Sequence, residues 1–320
     1  MPFIKRHAAL IAVIASLIAA SDTFAQISSI NSAFYFPRQY NDVPDSTLTV
    51  VRNFPSLIEF DDQFVSKATG FANRHVWRFS NDNGVSPYRF GNDEFFTVTM
   101  SLTLTGDPIS PRKEAGFVLT TVGGEGSFIV NTDGHEVVAF GGPLPFYAFP
   151  RTFQSGDTIQ LGITYFLNGN GKRAAIYSAN CLQSPPLEFS NLEQGITDNS
   201  ALGGYLQVVN APSIATNSGS AEFENISVGG PDQDFDGVPD ADDACAATPQ
   251  CTAVNTGGCS IDQLVPCAGP ASGGKWKNHG EYVAAVSQVV EQLLEEGSIT
   301  DDQADAILLS AAQSACGGKK

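Results

Sequence analysis

Basic residues are scarce in this 320-residue chain, in which 17 Lys and Arg stand against 34 Asp and Glu for a formal net charge of −17. This excess of negative charge disfavours nucleic acid and anionic membrane surfaces as partners. Divalent cations and neutral glycans are compatible with it. Beyond the N-terminal segment no stretch is apolar enough to cross a bilayer, so no integral membrane segment is expected.

Familiar catalytic motifs are also missing. The chain has no G-x-S-x-G elbow and no C-x-x-C pair of a zinc site. After residue 25, histidine occurs only as His75, His135 and His279, none with a local partner for catalysis or metal binding. Laminarinase-like glucanases place three acids on one strand as E-x-D-x-x-E. The nearest match begins at Glu59 and has Phe64 in place of the third acid, so the sequence predicts that the protein is not an enzyme.

The N-terminus predicts export. A positive segment at residues 5–7 precedes an apolar run at residues 8–20 that is too short to span a bilayer comfortably. Thr23 and Ala25 supply the small residues of a cleavage site. We therefore expect a signal peptide over residues 1–25 and a secreted protein, extracellular or periplasmic.

Cysteine is concentrated near the C-terminus. Five of the six cysteines fall in the last quarter of the chain, at Cys245, Cys251, Cys259, Cys267 and Cys316. In an oxidising compartment this clustering indicates a disulfide framework, with at least two bridges among these five. Cys181 stands apart, and is either a free buried thiol or a link across a domain boundary.

Residues 26–228 contain many short segments of strand character and no sustained helical period. The segment from Glu94 to Leu104 alternates apolar and hydroxyl residues, as a strand with one buried face does. The turns Asn131–Gly134 and Asn168–Gly171 lie between apolar segments and predict hairpins. The pattern indicates a mainly β protein with a two-sheet antiparallel sandwich.

The sandwich also resembles a known family. The run G-D-T-I-Q-L-G-I-T-Y-F, a glycine turn, K-R-A-A-I-Y-S and the last strand A-E-F-E-N-I-S-V resemble the concanavalin A-like, or laminin G-like, jelly roll. The resemblance implies a jelly-roll domain over residues 26–228, another jelly-roll module being the alternative. This class includes glycan-binding and glycan-cleaving proteins.

An acidic loop is the strongest motif. Residues 232–243 read D-Q-D-F-D-G-V-P-D-A-D-D, with carboxylates at positions 1, 3, 5, 9 and 12 and glycine at position 6. This is the oxygen spacing of a twelve-residue calcium loop, whereas the alternative is a solvated acidic linker. The expected Ca²⁺ ligands are Asp232, Asp234, Asp236, the carbonyl of Val238, Asp240 and Asp243.

The surroundings of the loop resemble a thrombospondin type 3 repeat over residues 232–249. Gly229 and Pro231 exclude an entering helix, and Cys245 follows two residues after the loop. The resemblance implies calcium binding in a secreted protein. We expect residues 229–274 to form an irregular, cysteine-rich linker that calcium stiffens.

Helical periodicity appears in residues 275–320. Apolar residues recur at spacings of three and four from Tyr282 to Leu294, and Gly297 ends this pattern. Thr300 and Gln303 then form a capping box for a second helix. The segment predicts a C-terminal α-helical hairpin.

These features together predict a secreted calcium-binding protein for recognition or adhesion, with a glycan or another extracellular surface component as partner. The alternatives are a secreted glycan hydrolase of the concanavalin A-like class and a structural matrix or envelope spacer. Candidate sugar-stacking aromatics are Trp77, Tyr88 and the rings within residues 143–150.

Overall fold

The computed structural model describes residues 29–190 and 195–318, so the expected signal peptide at residues 1–25 lies outside the described residues. The strands are β1 (Ser32–Asn41), β2 (Thr47–Asn53), β3 (Leu57–Phe64), β4 (Ala72–Ser80), β5 (Phe96–Asp107), β6 (Lys113–Thr121), β7 (Gly124–Asn131), β8 (Val137–Gly141), β9 (Tyr147–Ala148), β10 (Thr158–Leu167), β11 (Arg173–Ala179), β12 (Leu182–Gln183), β13 (Leu187–Glu188), β14 (Ala201–Val209) and β15 (Asn217–Gly229). The helices are α1 (Ile261–Leu264), α2 (His279–Glu295) and α3 (Asp301–Gln313).

Two antiparallel sheets form the sandwich. The first sheet has the order β1-β4-β14-β6-β7-β8-β9, and the second has β12-β11-β10-β5-β15-β3-β2, with β13 on β11. The order crosses between sheets repeatedly along the chain, as in jelly rolls. The predicted mainly β fold with a C-terminal helical hairpin is confirmed.

Aromatic rings from both sheets hold the layers together. Trp77 of β4 in the first sheet meets Phe223 of β15 in the second, with ring centroids 5.9 Å apart and planes at 75°. Phe60 of β3 meets Phe223 edge to face at 6.3 Å. All three rings are fully buried because strand alternation turns every second residue inward. Trp77, a candidate for sugar stacking by sequence, is therefore a core residue.

Both predicted hairpins are present. Strands β7 and β8 pair around residues 131–134, and β10 and β11 pair around residues 168–171. In the second turn Gly171 takes a φ of 71°. In the first turn the positive φ falls on His135, at 56°, and Gly134 does not adopt one. There the side chain of Asn131 accepts the Gly134 N–H at 2.9 Å and shapes the turn instead.

All six cysteines are paired, as Cys181–Cys251, Cys245–Cys259 and Cys267–Cys316. The prediction of at least two bridges among the five C-terminal cysteines is confirmed. Of the two possibilities for Cys181, the structure has the link across the boundary. Disulfides of this density are typical of extracytoplasmic proteins.

The helical hairpin has its own small core. Val286, Val290 and Leu293 of α2 are fully buried against α3 and its flanking residues. Thr300 caps α3 with the predicted capping box to Gln303. A short helix, α1, precedes the hairpin and was not expected from sequence. Within residues 29–190 and 195–318, no helix is long and apolar enough to span a membrane.

His75 has a partner that sequence proximity did not reveal. Its Nε2 lies 3.0 Å from Asp62 Oδ2, and its Nδ1 accepts the backbone N–H of Arg38 at 3.0 Å. Asn73 Nδ2 also donates to Asp62, at 2.9 Å. Asp62 and His75 are both fully buried, so they stabilise the sandwich interior rather than face a substrate. The sequence shows no local partner for His75, and the partner in the structure is indeed not local, because Asp62 comes from another strand.

Loss of the Asp62 charge should destabilise the sandwich in a pH-dependent way. Although burial raises the pKa of Asp62, the hydrogen bond and charge of His75 outweigh it and hold this pKa below its usual value. The carboxylate therefore stabilises the fold above the unfolded pKa of about 4, and this contribution is lost as pH falls through the lower folded value. We expect Asp62→Asn to cost about 1–3 kcal/mol of unfolding free energy at pH 7.

Urea unfolding at pH 7 and near pH 3 measures this effect, with Asp61→Asn on the same strand as the control. The Asp62→Asn deficit should shrink at the acid pH, because the charge of the wild-type carboxyl contributes less stability below the unfolded pKa. An equal deficit at both pH values would contradict the assigned role.

Candidate functional site

The acidic segment is docked on the second sheet. The backbone N–H of Asp232 donates to Thr97 Oγ1 at 2.8 Å, and Thr164 Oγ1 donates to the Asp232 carbonyl at 2.7 Å. These threonines face outward from the neighbouring strands β5 and β10, where they pair directly. The disulfide Cys181–Cys251 fixes the segment to the sheet at a second point. The segment that the sequence predicts to be an irregular, cysteine-rich linker is thus anchored along the sandwich.

The absence of a side chain at Gly162 lets the acidic loop pack closely on the sheet surface. Phe235 lies over Gly162 of β10, and a Cβ at Gly162 would come within 2.6 Å of the Phe235 ring. The ring also packs against Phe166 and Ile176, which form an apolar patch on the same face. Phe235 itself has a φ of 56°, an unusual conformation for a bulky residue. Its packing at Gly162 therefore holds the loop in a strained shape.

Three aspartates of the loop form a cluster. Asp232, Asp234 and Asp236 each place a carboxylate oxygen within 4.8 Å of the others. In each carboxylate one oxygen accepts a backbone N–H, from Gly237, Thr248 and Val238 respectively. The other oxygen of each has no hydrogen-bond partner although it is buried.

Buried anionic oxygens without partners are costly, and a shared cation removes that cost. Calcium prefers carboxylate oxygens, so the donor set fits Ca²⁺. The cluster is therefore the candidate metal centre, and residues 232, 234 and 236 would hold the ion.

The remaining expected ligands are placed differently. Both oxygens of Asp240 accept hydrogen bonds from Gln233, from its backbone N–H at 2.9 Å and its side chain at 2.7 Å. Asp243 approaches Asp236 beside Gly258, and its Oδ1 also accepts the N–H of Cys245 at 2.7 Å. Val238 contacts Asp236 through its N–H. The cluster thus contains three of the expected side chains, and Asp243 lies next to it.

The cluster is electrostatically strained without a cation. Burial, with added repulsion from Asp236 and Asp234, raises the pKa of Asp232 to about 7. Burial, with the charges of Asp234 and Asp243, raises the pKa of Asp236 to about 6. Both carboxyls therefore hold protons more tightly than an exposed aspartate does.

The outer face of the first sheet carries a second group of polar side chains. Arg74 and Arg78 alternate along β4 with inward residues, and Gln207 of β14 lies directly opposite both Arg74 and Glu114 of β6. Glu125 lies on β7, the next strand of the sheet after β6. No segment of sequence groups these residues, since four strands contribute them. The signal in the sequence is the spacing of polar residues at every second position along a strand.

Contacts join this polar face into one network. Arg74 pairs with Glu125 at 2.7 Å and lies over the ring of Tyr205, 4.3 Å from its centroid. The Tyr205 hydroxyl donates to Glu114 Oε1 at 3.0 Å, and Gln207 donates to the same oxygen at 3.2 Å. The network therefore places two carboxylates and one guanidinium on the same surface.

The two glutamates of the polar face lie in different environments. Burial raises the pKa of Glu114, and this outweighs the Tyr205 hydrogen bond and the charge of Arg112. Glu125 forms an ion pair with Arg74 at 2.7 Å, whereas the arginine nearest Glu114, Arg112, lies 3.7 Å from its carboxylate. Contrasting environments for two carboxyls on one surface are typical of acid–base pairs.

Exposed aromatic rings border the polar face. On β1, Phe36 and Tyr40 lie opposite Val76 and Arg74 and are 48% and 46% exposed. Phe140 on β8 is exposed at the other side of the sheet. Exposed rings beside polar groups suit the stacking of sugar rings. Of the rings proposed from sequence within residues 143–150, Phe149 is buried in the core and Phe146 is exposed.

The chain is similar to several solved structures, all at low sequence identity. No family model matches the chain, and no curated protein matches it at a significant level. Similar solved structures include the alginate lyase AlgAT5 from polysaccharide lyase family 7, with a TM-score of 0.39 and 9% identity over 56% of this chain and 83% of that one. An alginate lyase from Corynebacterium sp. has a TM-score of 0.37 and 9% identity, covering 56% of this chain and 82% of that one. A Bacteroides ovatus mixed linkage glucan GH16 structure in complex with a product has a TM-score of 0.38 and 9% identity, covering 62% of this chain and 95% of that one.

The strand order of the two sheets establishes the jelly-roll sandwich, and no argument about the fold rests on these similarities. They contradict the prediction that the protein is not an enzyme, because the similar structures are lyases and a GH16 protein. That prediction relied on a run of acids along one strand. Glu114 and Glu125 lie on neighbouring strands, so the search for a single-strand motif missed them.

Substitution of Gly162 should weaken calcium binding without touching a carboxylate. In Gly162→Ala the new methyl group would displace the Phe235 ring and with it the loop. Overpacking of about 1–3 kcal/mol would lower calcium affinity about tenfold. Calorimetric titration measures the affinity. Gly169→Ala is the control, because a Cβ there has no neighbour within 4 Å. Equal affinity in the two variants would contradict the role of the Phe235 contact.

Calcium binding should release protons in mildly acidic solution. The raised pKa values of Asp232 and Asp236 mean that the calcium-free cluster is partly protonated near pH 6 and largely ionised at pH 8. Binding at pH 6 should therefore release on the order of one proton, and fewer at pH 8. Because both pKa values are raised in the folded protein, the calcium-free fold should also become more stable as pH falls from 7 toward 5. Calorimetry in buffers of different ionisation enthalpy measures the release, and none at pH 6 would refute this electrostatic account.

Proposed function

We propose that this protein is a secreted, calcium-binding protein that cleaves a glycan on the polar face of its first sheet. The observation that carries this proposal is the pair of glutamates in contrasting environments, Glu114 and Glu125, on one surface bordered by exposed aromatic rings. Hydrolysis requires two such carboxyls on either side of the scissile bond.

The chemistry follows from the contacts. Because burial raises the pKa of Glu114, this residue is the group that would pass a proton to the glycosidic oxygen. Glu125, which is paired with Arg74, would accept a proton from the attacking water. Phe36 and Tyr40 would stack on the sugar units beside the cleavage point. Because Glu114 acts in its protonated form, activity should fall as pH rises through its raised pKa.

Calcium at the aspartate cluster serves the fold in this proposal. The ion would neutralise the three carboxylates and order the segment docked on the second sheet. What supports it is the set of buried carboxylate oxygens without partners, in a loop whose spacing is that of calcium loops.

Glycan cleavage is tested with calcium-loaded mature protein on a panel of neutral and uronic acid polysaccharides. New reducing ends measure cleavage, and ultraviolet absorbance of unsaturated ends separates elimination from hydrolysis. We expect hydrolysis of at least one polymer and a loss of about 100-fold or more in Glu114→Gln and in Glu125→Gln.

Glu224→Gln on the second sheet is the matched control and should retain activity. Full activity in Glu114→Gln, or no cleavage of any polymer by the wild type, would count against the proposal. Unsaturated ends would assign the same face to an eliminative reaction and refute the hydrolytic roles.

Calcium should also protect the docked segment from proteases. With chelator, or in Asp234→Ala, repulsion within the cluster should open the loop and accelerate cleavage within residues 229–274. The sandwich has its own core and should persist as a fragment. Asp242→Ala removes an exposed carboxylate outside the cluster and should behave as wild type. Equal cleavage with and without chelator would rule out ordering by calcium.

A further inference from the structure

A cavity of about 280 Å³ lies between the second sheet and the loop that carries the aspartate cluster. Thr99 of β5 and Ser178 of β11 contribute hydroxyl groups to its floor. They flank Gly162 on the neighbouring strand, where the Phe235 ring covers the glycine. A volume of this size, at the low end of ligand pockets, suits a single sugar unit rather than a chain.

Three residues that line the cavity each have a buried side-chain oxygen without a hydrogen-bond partner. Asp232 and Asp236 line it, and each has a carboxylate oxygen without a hydrogen-bond partner. Asp232 is 6% exposed. Gln250 also lines the cavity, and its side-chain oxygen is buried without a partner while its nitrogen donates to Ser178 at 3.3 Å. Acceptors of this kind are matched by hydroxyl donors.

The aspartates connect this cavity to the cation. Because Asp232 and Asp236 belong to the cluster and also line the cavity, an ion held by the cluster lies at the cavity wall. Calcium takes six to eight oxygen ligands, more than three carboxylates with one inward oxygen each supply. A vicinal diol offers two neutral oxygens at chelating distance. The Phe235 ring beside them offers an apolar surface for the carbon–hydrogen face of a sugar.

We propose that this cavity binds one sugar unit through a cis-vicinal diol that completes the coordination of the bound calcium ion. Gln250 accepts a hydroxyl hydrogen, and Thr99 and Ser178 contact the remaining hydroxyls. The inference rests on the calcium site proposed above and is independent of glycan cleavage at the polar face. It gives the protein a second carbohydrate site, on the opposite sheet.

The test uses backbone amide NMR of the calcium-loaded mature protein titrated with methyl α-D-mannopyranoside and methyl β-D-galactopyranoside, each of which has a cis-vicinal diol. We expect saturable shifts of the Gly162 and Gly237 amides, with a dissociation constant on the order of 1 mM for at least one glycoside. The per-O-methylated glycosides lack the diol and should produce no shift. Gln250→Ala should weaken binding about fivefold, as expected for one lost hydrogen bond.

Calcium uptake is measured on the same samples, so the two proposals are separated. Calcium binding with no shift from either glycoside would overturn the cavity proposal and leave the metal site standing. Shifts that persist in chelator would also overturn it, because the ion would have no part in binding. Absence of calcium binding would overturn both proposals. Glu114→Gln, on the other sheet, should leave these shifts unchanged.

Discussion

Unpaired negative charge at three clustered aspartates is the constraint on which the C-terminal third of this protein depends. Asp232, Asp234 and Asp236 each use one carboxylate oxygen to fix the loop backbone and leave the other unsatisfied. The segment has few apolar side chains of its own, so burial alone does not order it. A cation at the cluster would convert repulsion into closure of the loop, and the disulfide Cys181–Cys251 transmits that order to the sandwich.

The alternation of residues along the strands organises the inner and outer faces of the sandwich. Strand alternation turns Trp77 and Phe223 into the shared core and leaves Arg74 and Gln207 on the outside of the first sheet. The same alternation on the second sheet leaves Thr97 and Thr164 free to hold the acidic loop. One periodicity thus produces a core, a polar face and a docking surface. The glycan cleavage proposed for one sheet and the metal binding proposed for the other would therefore be separable by mutation.

Much of this arrangement was accessible from sequence because its signals are local. Alternation predicted the strands, and the capping box at Thr300 predicted the second helix. The cysteine cluster predicted disulfides, whereas the partner of Cys181 depended on how the segment docks. The sequence did not predict the polar face, because Glu114 and Glu125 lie on different strands. It also showed no local partner for His75, because Asp62 comes from another strand. Contacts between strands depend on register, which a local reading does not provide.

The central claim is that the aspartate cluster binds calcium, and calorimetric titration of the mature protein tests it most directly. Wild type should take up calcium saturably, with a dissociation constant on the order of 10⁻⁴ to 10⁻³ M or somewhat tighter. A variant with both Asp232→Ala and Asp236→Ala should lose that uptake, since it lacks two of the three clustered carboxylates. The same calcium uptake in both proteins would contradict the account.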